Sequence, residues 1–436
     1  MPEKKSKKQS QDTLQTVKGM RDISGDTYYD MQGLFEKAQE VAEYYGFQPI
    51  KTPIVEHTDI FTRGVGDGTD IVDKEIYSFT TKGRDKISLR PEGTAAVMRS
   101  YFQNGMQSFP QPVMLYYCEP MFRHDRPQKG RYRQHHQFGM EILGTNKPVA
   151  DAIIIQTTMR ILEEAGAQNI FVSINSIGDK DSRADYIKAL KTYYRKHIND
   201  LAAEDRARLA DNPLRILDSK HAKTIAINED APESLDYLSK DAKKHFKQVL
   251  EYLEESNIPY ELNKNLVRGL DYYSNTVFEI METITDDKGN ERTLSITGGG
   301  RYDYLATTMG FKKDVPGVGV GIGMERVIES PWWKGLRPRI IKKPKFYFIQ
   351  LGFDARLRSL NILEMLRCAK IPVHQSLSKD NLRSQLAAAE KLSLRYTIIF
   401  GQKEAMDNTA IVRDMEKRSQ KIVSIDELVK YLRSLK

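Results

Sequence analysis

Apolar residues at Met31, Leu34, Phe35, Ala38, Val41 and Ala42 fall on one face of a helix predicted from about Thr27 to Tyr45, which Gly46 can end. The segment "FQPIKTPIVEH" that follows reads as extended, because Pro49 and Pro53 exclude helix. Strand-like runs come next at "KEIYSFT", "KISLR" and "PVMLYYCEPMFRH", separated by short polar or Gly/Pro turns. They predict a largely antiparallel sheet. A helix near Val149 to Ala165 and a strand at "NIFVSIN" complete this part of the chain.

From about Asp179 to Leu262 the texture changes to charged, helix-favouring sequence, with no glycine between Gly178 and Gly269. This predicts a helical insertion at 179–261, since strand-like sequence resumes at "LVRGLDYYSNTVFEI". Residues 16–178 and 262–330 then form one domain, and 1–15 a basic, flexible tail. A linker at 331–343, within "SPWWKGLRPRIIKKPK", leads to a last block at 344–436. There "FYFIQLG", "PVHQSL" and "YTIIFG" alternate with helices carrying Leu357, Leu360 and Leu363, and Leu382, Leu386 and Ala389. Such alternation predicts a small α/β domain with a mainly parallel sheet, and the whole chain an α+β fold.

With 436 residues and 40% hydrophobic content, the chain can build two or three packed domains. No apolar run approaches the roughly 18 residues that a membrane span requires, and the N-terminus lacks a signal-peptide core. A soluble, cytoplasmic protein is expected. Cys118 and Cys368 stand far apart with no CxxC, which argues against a disulfide framework or a cysteine-based zinc site. A net charge of +8 suggests a polyanionic partner.

Where could chemistry sit? No GxxxxGK[ST] occurs, which argues against a P-loop nucleotide site. The run "FRHDRPQKGRYRQHHQFGMEILG" from Phe122 crowds arginines and three histidines and then turns apolar. In "GVGVGIGMERV" from Gly317, glycine alternates with Val or Ile. That pattern either lets a helix pack closely on a strand, or strips one strand face so that a flat ligand lies there under Arg326. In "LRPEGTAAVMR", Pro91 and Glu92 suit a helix start, or Glu92 and Thr94 grip a ligand ammonium. "SITGGGRYDYL" can be a simple glycine turn, and "LVRGLDYYSNTVFE" a strand with an exposed Arg268.

In this order and together, these segments closely resemble the histidyl-tRNA synthetases, a family of class II aminoacyl-tRNA synthetases. The likeness runs from "VKGMRDI" at Val17 to the C-terminal block. "GFQPIKTPIVEH" resembles motif 1, a dimer-interface element in the family. The basic run resembles motif 2 and "GVGVGIGMERV" motif 3, while "RPEGT" and "LVRGLDYY" mark the histidyl enzymes within the class. The resemblance implies an antiparallel catalytic sheet flanked by helices, an insertion that touches tRNA, and a C-terminal anticodon-binding domain. It implies a homodimer that joins L-histidine to tRNA(His) through a histidyl-adenylate, with ATP as substrate and Mg2+ beside it. The cluster His124, His135 and His136 lacks neighbouring Cys and an evident ligand spacing, so no metal is assigned to protein side chains. By the same resemblance Arg123 and Arg268 act on the α-phosphate, and Arg326 and His135 hold adenine. Glu92, Thr94 and Gln137 take the amino-acid end, and Glu141 and Tyr273 read the imidazole.

Two positions depart from the family pattern. Asp125 stands where the run commonly has Glu, and His135 where many members carry a Phe that stacks on adenine. A neutral imidazole is flat and can still stack, so ATP affinity is expected to weaken as pH falls through the ordinary histidine range near ~6.5. The competing readings are a catalytically silent relative, such as the regulatory subunit of ATP phosphoribosyltransferase, and a general RNA-binding protein. Such silent relatives generally lose the "LVRGLDYY" motif and the C-terminal domain, which this chain keeps. General RNA binding leaves Glu92, Glu141 and Arg326 together unexplained.

Overall fold

A computed structural model describes residues 14–66, 69, 71–128, 130–285, 291–339 and 344–435. Residues 1–13 of the predicted tail and 340–343 of the predicted linker lie outside these. The chain divides into two compact units, Met1–Pro338 and Arg339–Lys436.

The first unit is built on β1 (Gln48–Pro49), β2 (Val55–His57), β3 (Ser78–Thr80), β4 (Lys86–Leu89), β5 (Val113–Phe122), β6 (Gln134–Leu143), β7 (Ile170–Ser176), β8 (Tyr260–Leu262), β9 (Ser274–Thr285), β10 (Glu291–Arg301) and β11 (Gly317–Gly323). Eight of these form one sheet in the order β1-β5-β6-β11-β10-β9-β7-β8, antiparallel except where β1 meets β5 and β7 meets β8. Strands β2, β4 and β3 make a small second sheet. The "KEIYSFT" run is strand only at Ser78–Thr80; Ile71–Glu75 forms a wide π-type turn instead, and the Glu75 carbonyl accepts the His124 amide at 2.7 Å.

Alternation along the central strands sorts their side chains onto two faces. Phe138, Met140 and Ile142 of β6 and Val318, Val320 and Ile322 of β11 enter a core with Leu34, Ile154 and Phe246, from the helices Gly25–Tyr44, Pro148–Ala165 and Lys240–Glu255. The opposite face of the same strands carries Gln137, Gly139 and Glu141 and the glycines of β11. It is left for the cleft.

The 179–261 stretch serves two places. Lys180–Lys196 and the short helices to Tyr237 close over their own core of Tyr186, Leu190, Tyr194, Leu209, Leu214 and Ile216. Helix Lys240–Glu255 instead puts Phe246, Val249 and Leu253 into the main core. Charge-rich helical sequence looks alike in both settings, because one buried stripe satisfies either.

The second unit contains β12 (Phe346–Gln350), β13 (Val373–Gln375), β14 (Tyr396–Phe400), β15 (Thr409–Asp414) and β16 (Ser419–Ser424), in the order β13-β12-β14-β15-β16. Only β13, β12 and β14 are parallel. The expected mainly parallel sheet is corrected by the antiparallel hairpin β15–β16, whose turn is fixed by Asp414 accepting the amides of Glu416 and Lys417 at 3.0 Å.

A buried ion network fastens the end of β10 to the helix layer. Arg301 donates to both carboxylate oxygens of Asp151, to Asp303 at 3.0 Å and to the Thr145 carbonyl at 3.0 Å, and His245 stands 3.4 Å from Asp151. Burial pushes the Asp151 carboxyl up, but Arg301 and His245 more than offset it and hold it well below the usual carboxylate range. Arg301→Ala strands that carboxylate in the core and is expected to destabilise the first unit by about 3–5 kcal/mol in urea unfolding at pH 7. Because the folded-state pKa is depressed, the wild-type contribution is present above ~4 and lost as pH falls below it, so the gap between variant and wild type narrows in acid.

Candidate functional site

The "RPEGT" turn is set by Arg90, a fully buried guanidinium that donates to the Pro120 carbonyl at 2.9 Å, the Thr52 carbonyl at 2.8 Å and Glu119 at 2.7 Å. The turn thereby lies against β5, and its Pro91 carbonyl accepts Nε of Arg123 at 2.8 Å. The helix-start reading of Glu92 holds. Its carboxylate accepts the amides of Thr94 at 2.7 Å and Ala95 at 2.9 Å, satisfying the exposed donors of helix Thr94–Gln103. It also lines the central cavity, and burial raises its pKa.

That cavity measures about 790 Å³, within the ~300–1,000 Å³ range of small-molecule sites. Glu92, Thr94, Arg123, His135, Gln137, Arg268, Tyr273 and Arg326 all border it. Glu141 lies just beneath, fully buried, and accepts from Thr94 Oγ1 at 2.8 Å, from the Tyr117 hydroxyl at 3.2 Å and from the Tyr302 hydroxyl. Burial pushes its carboxyl up to about 8 although those hydroxyls pull the other way. Gln137 Nε2 donates to the Tyr117 hydroxyl at 3.2 Å, so Tyr117 links the two side chains.

The floor of the cavity is made of glycine. On the cleft face, a Cβ at Gly319 would overlap the Glu141 carboxylate, and one at Gly321 the Gln137 amide. A Cβ at Gly298 would overlap Arg268, and one at Gly300 would press on Tyr273. The helix-facing side of β11 carries Val318, Val320 and Ile322, so close helix packing does not account for its glycine alternation. The glycines make room for polar side chains.

Cations border the same space. Arg268 pairs with Glu279 and lies 6.0 Å from the Tyr273 ring centre. Arg326 donates to the Ser295 carbonyl at 3.0 Å, and burial, with Arg131 nearby, lowers its pKa. His135 is pushed down to about 4, first by burial and then by the Arg123 charge. The expected titration near ~6.5 is therefore corrected: the ring is neutral across the physiological range because its surroundings penalise the cation. His136 is spent differently, its backbone amide and Nδ1 meeting the buried Glu325 carboxylate at 2.8–3.0 Å. Among the described residues, no group of three His, Cys, Asp or Glu is arranged to hold a metal ion.

Several contributors escaped the sequence reading. Tyr302, Glu279 and Glu325 sat inside the quoted motifs without a role. Tyr117 carried no signal beyond a strand pattern. Arg215, Asp218 and Lys220 of the insertion also line the cavity, and nothing local in the sequence announces that.

Comparison with known proteins accords with this architecture. Residues 19–327 match the family model described as histidyl-tRNA synthetase, and residues 346–435 match that of an anticodon binding domain. The histidine–tRNA ligase of Desulforamulus reducens is 40% identical over 96% of this chain and 98% of its own length. That of Staphylococcus carnosus is 39% identical over 97% of this chain and 98% of its own. The apo S. aureus histidyl-tRNA synthetase structure superposes with a TM-score of 0.78 at 31% identity, covering 96% of this chain and 100% of that one. A Nostoc synthetase structure, at 19% identity, a TM-score of 0.61 and coverage of 96% of this chain and 99% of that one, shares the fold. The chain belongs to the histidyl-tRNA synthetase family, the class II ligases that attach histidine to tRNA for protein synthesis.

Proposed function

We propose that the 790 Å³ cavity is where this chain activates L-histidine with ATP and passes it to tRNA(His). The observation that carries the reading is the convergence of Arg123, Arg268 and Arg326 over a floor without side chains, beside Glu92, Thr94 and Gln137. Activation brings two anions together, the histidine carboxylate and the α-phosphate. Fixed cations lower the cost of that approach and stabilise the charge of the crowded phosphorus centre.

In this reading Arg123, held by the Pro91 carbonyl, and Arg268, held by Glu279, flank the α-phosphate. The histidine carboxylate oxygen bonds to phosphorus as pyrophosphate leaves, and a terminal ribose hydroxyl of the tRNA then displaces AMP from the adenylate. Glu92 retains lone pairs beyond those given to the helix amides, and these, with Thr94 and the Gln137 amide, accept the α-ammonium. Glu141 and Tyr273 read the ring nitrogens. A pocket of this kind rejects an apolar analogue by ~10⁴-fold or more, because the analogue leaves buried polar groups unpaired. Arg326 and the neutral His135 hold adenine between them. Mg2+ would be held by Glu279 and Glu282, two carboxylates on the cavity wall, and would draw charge from the ATP phosphates.

The same reading extends to assembly, place and domain roles. Residues 16–178 and 262–330 supply catalysis, 179–261 contacts tRNA, and the last unit binds the anticodon. A homodimer is supported by an apolar groove of about 670 Å³ lined by Tyr28, Met31, Phe35, Pro49 and Ile50, beside the motif 1 segment. The described residues hold no helix long and apolar enough to cross a membrane. A cytoplasmic location follows from the place of protein synthesis.

Arg268→Ala is expected to lower single-turnover adenylate formation by about 10²–10³-fold, the scale of a lost transition-state donor, with histidine affinity by calorimetry within about threefold of wild type. Equal losses in binding and rate contradict the assigned role. For His135, ATP titrations from pH 5.5 to 8 are expected to give the same profile for wild type and His135→Phe, because a pKa about 4 leaves the ring neutral throughout. His135→Ala weakens ATP binding at every pH by loss of stacking area. A wild-type affinity that drops near pH 6.5, and does so only when His135 is present, contradicts the neutral plate.

A further inference from the structure

The segment Arg268–Tyr273 carries Arg268, Leu270, Tyr272 and Tyr273 of the cavity lining, yet belongs to no helix or strand, since β9 begins only at Ser274. On one side the Asp271 amide donates to the Val65 carbonyl at 3.1 Å, at the end of helix Thr58–Val65. On the other side stands the insertion. Arg183, in the first turn of helix Lys180–Lys196, donates through Nη1 to the Asp271 carbonyl at 2.8 Å and the Tyr273 carbonyl at 3.3 Å. Asn212 Nδ2 donates to the Asp271 carboxylate at 2.7 Å.

This is an expensive place for a cation. Burial lowers the Arg183 guanidinium's pKa against the pull of Asp271, and its Nε is buried with no hydrogen-bond partner among the described residues. A side chain serving only the insertion's own core would be apolar, as Tyr186, Leu190 and Tyr194 on the same helix largely are. Arg183 instead spends the two N–H bonds of Nη1 on two backbone carbonyls two residues apart, at a reach that the shorter side chain of lysine, with its compact, strongly hydrated ammonium, does not reproduce. The root of its helix is itself fixed. Asp179 accepts from the Ser182 amide at 2.9 Å and from the Ser239 hydroxyl at 2.5 Å, and Ser239 caps helix Lys240–Glu255 of the main core.

We propose that Arg183 is a positioning residue for histidine activation, through which the helical insertion sets the placement of Arg268, Tyr272 and Tyr273. Arg123, His135 and Arg326 come from other elements and do not depend on this clamp. The inference rests on the cavity being the site of histidine activation.

The test is histidine-dependent ATP–pyrophosphate exchange with the full chain. Displacement of reacting groups by about 1 Å costs on the order of 10²-fold. Arg183→Ala is expected to raise the histidine KM and lower kcat so that kcat/KM for histidine falls about 10²-fold, while the ATP KM stays within about twofold. Arg183→Lys falls about 10-fold, and millimolar guanidinium ion restores part of the Arg183→Ala loss where urea at the same concentration does not. Asn212→Ala shows the same histidine-selective pattern at about threefold, and decides the matter should Arg183→Ala not fold. Folded variants with wild-type histidine parameters, or histidine and ATP KM values rising together without guanidinium rescue, overturn the proposal. Absence of histidine-dependent exchange in the wild type overturns the functional reading of the cavity instead.

Discussion

The site depends on a sheet surface from which Cβ atoms have been removed. In an antiparallel sheet, neighbouring strands place side chains of one face about 5 Å apart, so a cleft floored by ordinary residues would be filled by them. Here Gly298, Gly300, Gly319 and Gly321 leave that volume to Arg268, Tyr273, Glu141 and Gln137. The same strands cannot be glycine on both faces, because the helices need an apolar surface to cover. Val318, Val320 and Ile322 supply it. One period-two pattern therefore supplies an apolar core on one side and room for polar side chains on the other.

Clearing a floor creates an electrostatic difficulty, since the polar groups admitted there lose water. The structure answers with dense local partners. Glu141 takes three hydroxyls, Glu92 takes two helix amides, and Arg268 takes Glu279. Each partner also fixes an orientation, so the polar groups at the cavity are held in place by the protein itself. Arg301 and Asp151 solve the same problem away from the chemistry, holding β10 against the helix layer.

Much of this was legible in the chain. The strand-like run "PVMLYYCEPMFRH" and the alternation in "GVGVGIG" are local signals that survive folding as strand, and the helix at Pro148–Ala165 lies within a residue of its expected start. The cavity-lining residues were legible through the resemblance to a known family, since each motif by itself allowed a purely structural reading. What escaped is set by tertiary packing. The hairpin β15–β16 and the docking of helix Lys240–Glu255 depend on partners distant in sequence. Tyr117 matters only because Gly93 and Gly139 make room for its ring between them, and no single-sequence pattern carries that information. His135 shows the limit in chemistry: its residue type suggests a pH switch, and its burial beside Arg123 removes it.

The proposal that the glycine floor admits groups that read histidine is tested most directly by measuring histidine and ATP binding calorimetrically for Gly319→Ala beside Gly323→Ala. A Cβ at Gly323 meets only Arg326 Cβ at 3.8 Å, an ordinary contact, whereas at Gly319 it collides with Glu141 and with the Met140 carbonyl. Gly319→Ala is expected to weaken histidine binding by about 100-fold, the cost of a displaced buried polar group, while ATP affinity changes little. Gly323→Ala should leave histidine affinity near wild type. A folded Gly319→Ala variant that binds histidine as tightly as the wild type would contradict the account.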